Sequence, residues 1–229
     1  MTTQVIIAPR FCGPPRSGNG GYCCGLVAAA MPGAVEVTLR RPPPLDRALR
    51  LEHGDGAVLY DGDDVVVEAR PARFALDVPA PPSFEAAEAM SREFGGFARH
   101  PFPTCFVCGP ARAPGDGLRI FPGGSPGDGP IGAAWVPDRS LAGAGGRVRP
   151  EFLWAALDCP GYFAVSGAGE TALLGRMTAE IDLAVVPGER CVVIAWPITR
   201  SGRKLHAGTA LYDASGALRG RASQTWITV

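Results

Sequence analysis

Apolar positions recur at two spacings along the chain, and the spacings repeat in the same order twice. A short strand-like run at residues 4–8 is followed by a loop rich in glycine and proline. Residues 20–31 (Gly-Gly-Tyr-Cys-Cys-Gly-Leu-Val-Ala-Ala-Ala-Met) then carry no charge at all and read as a buried helix of small residues. Asn19 is its predicted N-cap, and Pro32-Gly33 ends it. Residues 34–40 alternate, with Val35, Val37 and Leu39 on one face, as a half-buried strand does. Strands are predicted at 45–52, 57–60 and 65–69, the last two flanking the hairpin turn Asp61-Gly62-Asp63. Residues 71–116 read as a connector, with one surface helix over 84–94.

The second half repeats that order. Strands are predicted at 117–121 and 131–136, around a Gly/Pro loop at 122–130. A Gly-rich loop at 143–146 leads into a helix over 150–164, where Pro150 suits the first helical position. Strands follow at 173–186, 190–199, 204–212 and 218–229, with hairpins marked by Pro187-Gly188, Ser201-Gly202 and Ser215-Gly216. The 150–164 helix is apolar on nearly every side and carries one deep acid, Asp158. Pro160 should kink or restart it. A buried carboxylate is costly unless it is paired or used. Asp158 therefore either caps the restarted helix or does chemistry.

Composition narrows the function. With 22 basic and 22 acidic residues the net charge is zero, which argues against general nucleic-acid or anionic-membrane binding. No apolar run is long enough to span a membrane, and no leader-like segment opens the chain, so a cytoplasmic protein is expected. Seven cysteines, an odd number, argue against a disulfide framework. Cys105-x-x-Cys108 has no second such pair and no nearby His pair. It reads as two small residues packed in a turn, with no metal and no cofactor expected.

The segments Gly18-Asn19-Gly20-Gly21-Tyr22, Val35–Pro42, Cys105-Phe106-Val107-Cys108-Gly109, Gly117-Leu118-Arg119, Ala156-Leu157-Asp158 and Ala222-Ser223-Gln224, in this order, resemble the double-hotdog acyl-CoA thioesterases. That resemblance implies an α+β chain of two hotdog folds. Each is an antiparallel sheet wrapping a central helix, and together they form a pseudo-dimer. The halves are then residues 1–78 and 117–229, joined by a connector at 79–116. It also implies an acyl-CoA or other acyl thioester as substrate, and a possible homodimer.

In such enzymes one helix supplies an acid and the other helix's N-terminus supplies backbone donors. Here Asp158 would orient water, and the amides near Asn19, Gly20, Gly21 and Tyr22 would bind substrate, since a helix N-terminus favours negative charge. The reciprocal site has no acid and should be dead unless Asn19 substitutes. The resemblance further implies a Gln on the last strand and a hydroxyl on the strand after the helix, matched in order by Gln224 and Thr178. Thr178, however, alternates onto the face away from Met177 and Ala179. The basic turn at Arg203 and Lys204 could meet CoA phosphates, or is a solvated hairpin tip. Two alternatives remain: a non-catalytic hotdog protein that binds an acyl or hydrophobic small molecule, and a hotdog lyase or tailoring enzyme.

Overall fold

β-branched and apolar residues on alternate positions build ten antiparallel strands, and runs of small apolar residues build the helices they cover. The computed structural model describes residues 1–125, 127, 129–167 and 169–229. Within the loop anticipated at 122–130, Pro126 and Asp128 lie outside the described residues. The first half gives β1 (Thr2–Ile6), α1 (Gly20–Ala28), β2 (Val35–Leu39), β3 (Ala48–His53), β4 (Ala57–Asp61) and β5 (Asp64–Pro71). The connector carries α2 (Phe84–Arg92). The second half gives β6 (Ile131–Trp135), α3 (Pro150–Ala156), α4 (Cys159–Val165), β7 (Ala172–Ile181), β8 (Cys191–Ser201), β9 (Lys204–Tyr212) and β10 (Leu218–Thr228).

The strands form one sheet in the order β1-β3-β4-β5-β2-β7-β10-β9-β8-β6. The order is a palindrome of the two halves. They join where β2 pairs β7, with Val35 opposite Ala179 and Val37 opposite Met177. Instead of two separate sheets, the chain thus makes one continuous sheet, because β2 and β7 each offer a free edge to the other. The loops before α1 and α3 also repeat. A 3-10 turn at Pro9–Phe11 is matched by one at Arg139–Leu141. An isolated bridge Cys12–Gly18 is matched by Ala142–Val148, a constant offset of 130 residues.

The inward faces of both halves share one apolar core with α1, α3 and α4. Helix α1 crosses α3 at close range, which explains its glycines. A Cβ on Gly21 would lie 2.5 Å from Asp158 Cβ and 2.7 Å from Trp154 O. One on Gly25 would lie 2.5 Å from Glu151 Cα.

Some boundaries differ from the periodic pattern. Residues 117–121 form no strand. Arg119 adopts φ of 56°, incompatible with extended pairing. The segment instead hydrogen-bonds to the cysteine turn, Leu118 N to Phe106 O at 2.8 Å and Ile120 N to Val107 O at 2.9 Å. Helix α1 stops at Ala28 and α2 at Arg92, and β7 stops at Ile181 rather than at 186. The 150–164 helix breaks at Leu157-Asp158, two residues before Pro160, and restarts as α4 with Pro160 in its first turn, as expected.

Candidate functional site

The break between α3 and α4 is what presents Asp158. Asp158 takes ψ of −81°, outside helical geometry, and so points its carboxylate across to the start of α1. It is 2% exposed. Asn19, the N-cap of α1, accepts from Tyr22 N through Oδ1 at 2.9 Å and donates through Nδ2 to Asp158 Oδ2 at 2.7 Å. Gly21 N donates to the same Oδ2 at 2.9 Å. Asp158 Oδ1 has no hydrogen-bond partner among the described residues. Burial raises the carboxyl pKa to about 7, against the opposing pull of the Gly21 and Asn19 donors. Asp158 is therefore no cap of α4: its side chain caps nothing on its own helix.

The carboxylate borders a cavity of about 350 Å³ between the halves, a size typical of small-molecule sites. The first half contributes Asn19, Gly20, Leu39, Arg40 and Arg41 to its wall. The second contributes Asp158, Tyr162, Leu174 and Trp226, and the connector contributes His100, Cys105 and Cys108. The Gly20 amide, at the first position of α1, takes no hydrogen-bond partner among the described residues, as expected for a first-turn N–H.

The residues singled out in the sequence fall into three groups. Asp158, Asn19, Gly20 and Gly21 meet at one point. The Gly21 amide is spent on Asp158 and the Gly20 amide is free. Gln224 comes close but turns away from the carboxylate. Its Nε2 donates to the carbonyls of Leu157 and Asp158, and its Oε1 accepts from Trp226 Nε1 at 2.8 Å. It pins the helix break rather than lining the cavity. Gln224→Met should lower unfolding free energy by about 2 kcal/mol in a urea titration, since the Leu157 carbonyl and the Trp226 indole N–H lose the Gln224 amide while Asp158 O keeps Gly161 N.

The third group is elsewhere. Tyr22 is buried in an aromatic cluster, its ring stacked on Phe11 at 4.3 Å. Thr178 is half-buried on the other face of β7, in register with Ser223 and Glu36. Arg203 and Lys204 are exposed, and the Arg203 guanidinium donates to Thr228 O at 2.8 Å. The charged pair at the cavity is instead Arg40-Arg41, at the end of β2 before the proline run. Arg40 pairs with Glu68, and Arg41 with Asp64 at 2.5 Å. Adjacent arginines before Pro42-Pro43 were the available signal.

Sequence comparison finds no matching family model and no matching curated protein. Comparison with solved structures does better. The tesB protein of Mycobacterium avium subsp. paratuberculosis aligns over 100% of this chain and 93% of its own, with TM-score 0.64 and 13% identity. The acyl-CoA thioesterase II TesB2 of Mycobacterium marinum aligns over 100% and 93%, with TM-score 0.61 and 10% identity. A conserved hot dog fold protein of unknown function from Alicyclobacillus acidocaldarius aligns over 100% and 93%, with TM-score 0.60 and 12% identity. The chain has the hotdog fold. It shares that fold, from end to end, with thioesterase II-like proteins. Among its described residues no helix is long and apolar enough to cross a membrane. The cavity lies where the start of α1 meets α4. Carried into the helices, the offset of 130 residues sets Ala28 against Asp158.

Proposed function

We propose that the chain is a double hotdog whose halves, residues 1–78 and 117–229 joined by 79–116, act as a built-in pseudo-dimer with one competent site. The palindromic strand order and the repeated loop before each helix support that reading. The site hydrolyses an acyl thioester, with acyl-CoA the favoured carrier. Asp158 carries the proposal: it borders the cavity, one carboxylate oxygen is clamped by Asn19 and Gly21, and the other is buried with no partner among the described residues. The other oxygen accepts a proton from water as that water attacks the thioester carbonyl, and the tetrahedral adduct then collapses by breaking the C–S bond, with the proton passing from Asp158 to the leaving thiolate. The Gly20 amide, at the positive end of α1, receives the developing oxyanion. Leu39, Leu174 and Trp226 offer the acyl chain apolar wall. No acid stands at Ala28, so the mirror site does no hydrolysis.

The test is a panel of acyl-CoAs of increasing chain length, with release of free CoA measured. Arg40 and Arg41 sit where a charged carrier would enter. Arg41→Ala should raise KM severalfold for an acyl-CoA and leave kcat and the KM for an acyl-N-acetylcysteamine unchanged, since only the first substrate has phosphates to lose. Equal effects on both substrates would remove the CoA assignment.

A second reading is a non-catalytic hotdog that binds an acyl chain. It is favoured by the orientation of Gln224, which leaves Asp158 without a second side chain to hold the water. Tight acyl-CoA binding with no turnover, in wild type and Asp158→Asn alike, would select it.

A further inference from the structure

The cavity wall holds a cluster that hydrolysis does not use. Cys105 and Cys108 lie on the connector turn, and Cys159 opens α4 far along the chain. Their three sulfurs lie within 4.8 Å of one another. Cys105 Sγ and Cys159 Sγ are 3.6 Å apart. All three residues are buried and line the same cavity. We propose that Cys105, Cys108 and Cys159 form a three-thiolate site for zinc, with the fourth coordination position open to the cavity.

The geometry suits that ion. Zinc binds thiolate sulfur at about 2.3 Å, so three sulfurs of a tetrahedron stand roughly 3.8 Å apart. Small movements of the thiols reach that spacing from the arrangement seen. The turn is built for it. Gly109 N donates to Cys105 O at 2.9 Å, and a Cβ on Gly109 would sit 2.4 Å from that oxygen, so only glycine closes the turn this tightly. The turn is also fixed from outside, by Phe106 N to Cys12 O at 2.7 Å and by the two bonds to Leu118 and Ile120. A ligand set is thus held in place before any ion arrives.

The surroundings point the same way. Asn19 Nδ2 lies 3.9 Å from Cys105 Sγ and 3.8 Å from Cys159 Sγ, a donor shared between two sulfurs. Two residues that line this cavity each bury a polar atom with no partner among the described residues, His100 Nε2 and Asp158 Oδ1. Buried polar atoms without partners are rare in native proteins and mark places where an ion or water belongs. A water or substrate group in the fourth position would have both within the same cavity. Three thiolates favour zinc over calcium or magnesium, which take oxygen ligands. Binding displaces the thiol protons, so zinc uptake releases acid.

The site does not depend on hydrolysis, and its test does not read it. The full chain, purified under reducing conditions and stripped with chelator, is titrated with cobalt(II) and then with zinc. The expected result is one equivalent per chain, with thiolate-to-cobalt charge-transfer bands and the strong visible bands of a tetrahedral site, which zinc then displaces. Cys159→Ser should weaken zinc at least about 100-fold, the upper end of what losing even a supporting partner costs. Cys191→Ala, remote from the cluster, should leave affinity unchanged. Wild-type chain that is folded by circular dichroism yet shows no thiolate charge-transfer bands would overturn the proposal, whatever the variants do. So would equal zinc affinity in wild type and a folded Cys159→Ser.

Discussion

Asp158→Asn should lower kcat/KM for acyl-CoA hydrolysis at least about 100-fold, the smaller end of what a positioned acid or base contributes. It should do so without loosening the fold. An asparagine oxygen can still accept from Asn19 Nδ2 and Gly21 N, and its amide nitrogen replaces Oδ1, which has no partner to lose. The substitution also removes a buried charge. The folded carboxyl has a pKa of about 7 against an ordinary 3.8, because burial disfavours its ionised form. Between those values the folded chain holds a proton that the unfolded chain has released. Stability of the wild type therefore falls as pH rises from about 4 to about 7, and the cost is complete above pH 7. In chelator, Asp158→Asn should be more stable than wild type at pH 8, and the advantage should vanish near pH 4. An inactive variant that also unfolds readily at pH 8 would make Asp158 a structural residue. A variant with full activity would remove it from the mechanism.

The largest effect on stability is expected from Gly21→Ala. The added methyl would meet Asp158 Cβ at 2.5 Å, Trp154 O at 2.7 Å and Ala155 Cα at 3.0 Å. Two of these are backbone atoms and none is the end of a flexible side chain. Relief requires α1 to move off α3, which also breaks the Gly21 N–H bond to Asp158. A loss of roughly 3 kcal/mol, the upper range for overpacking, is expected in chemical denaturation. Hydrolysis should fall with it even where the variant remains folded. Gly54→Ala is the control, since a Cβ there meets nothing within 4 Å. Equal stability of the two variants would mean that α1 and α3 are not locked at this crossing.

The hydrophobic pattern made most strands and both buried helices legible, because their periods are enforced by a shared core. The pattern marked Asp158 as a lone buried acid, but it was the resemblance to double-hotdog thioesterases that implied its meeting with the amides near Asn19, Gly20 and Gly21. The pattern left unread what depends on contacts between distant segments. Residues 117–121 alternate like a strand, yet pair with the cysteine turn, and the positive φ of Arg119 is invisible in composition. Gln224 sits on the inward face as alternation requires, but whether its amide meets a carboxylate or two carbonyls depends on where the α3–α4 helix breaks. Cys105-x-x-Cys108 reads as two small residues packed in a turn while Cys159 is out of view. Nothing in local spacing links a turn in the connector to the first residue of α4.

The two ends of the sheet are unlike each other in a way that governs self-association. At one end α2 lies against β6, where Ser91 Oγ accepts from Ala134 N at 3.0 Å, so that rim is already occupied. At the other end β1 pairs only with β3, and its five residues, Thr-Thr-Gln-Val-Ile, are largely exposed. Among the described residues, ladder extension between molecules has one open rim to use, and that rim is only five residues long, shortness being one means by which natural sheets discourage runaway stacking. Copies that do meet through it would stop at a pair, back to back, rather than grow into a fibre.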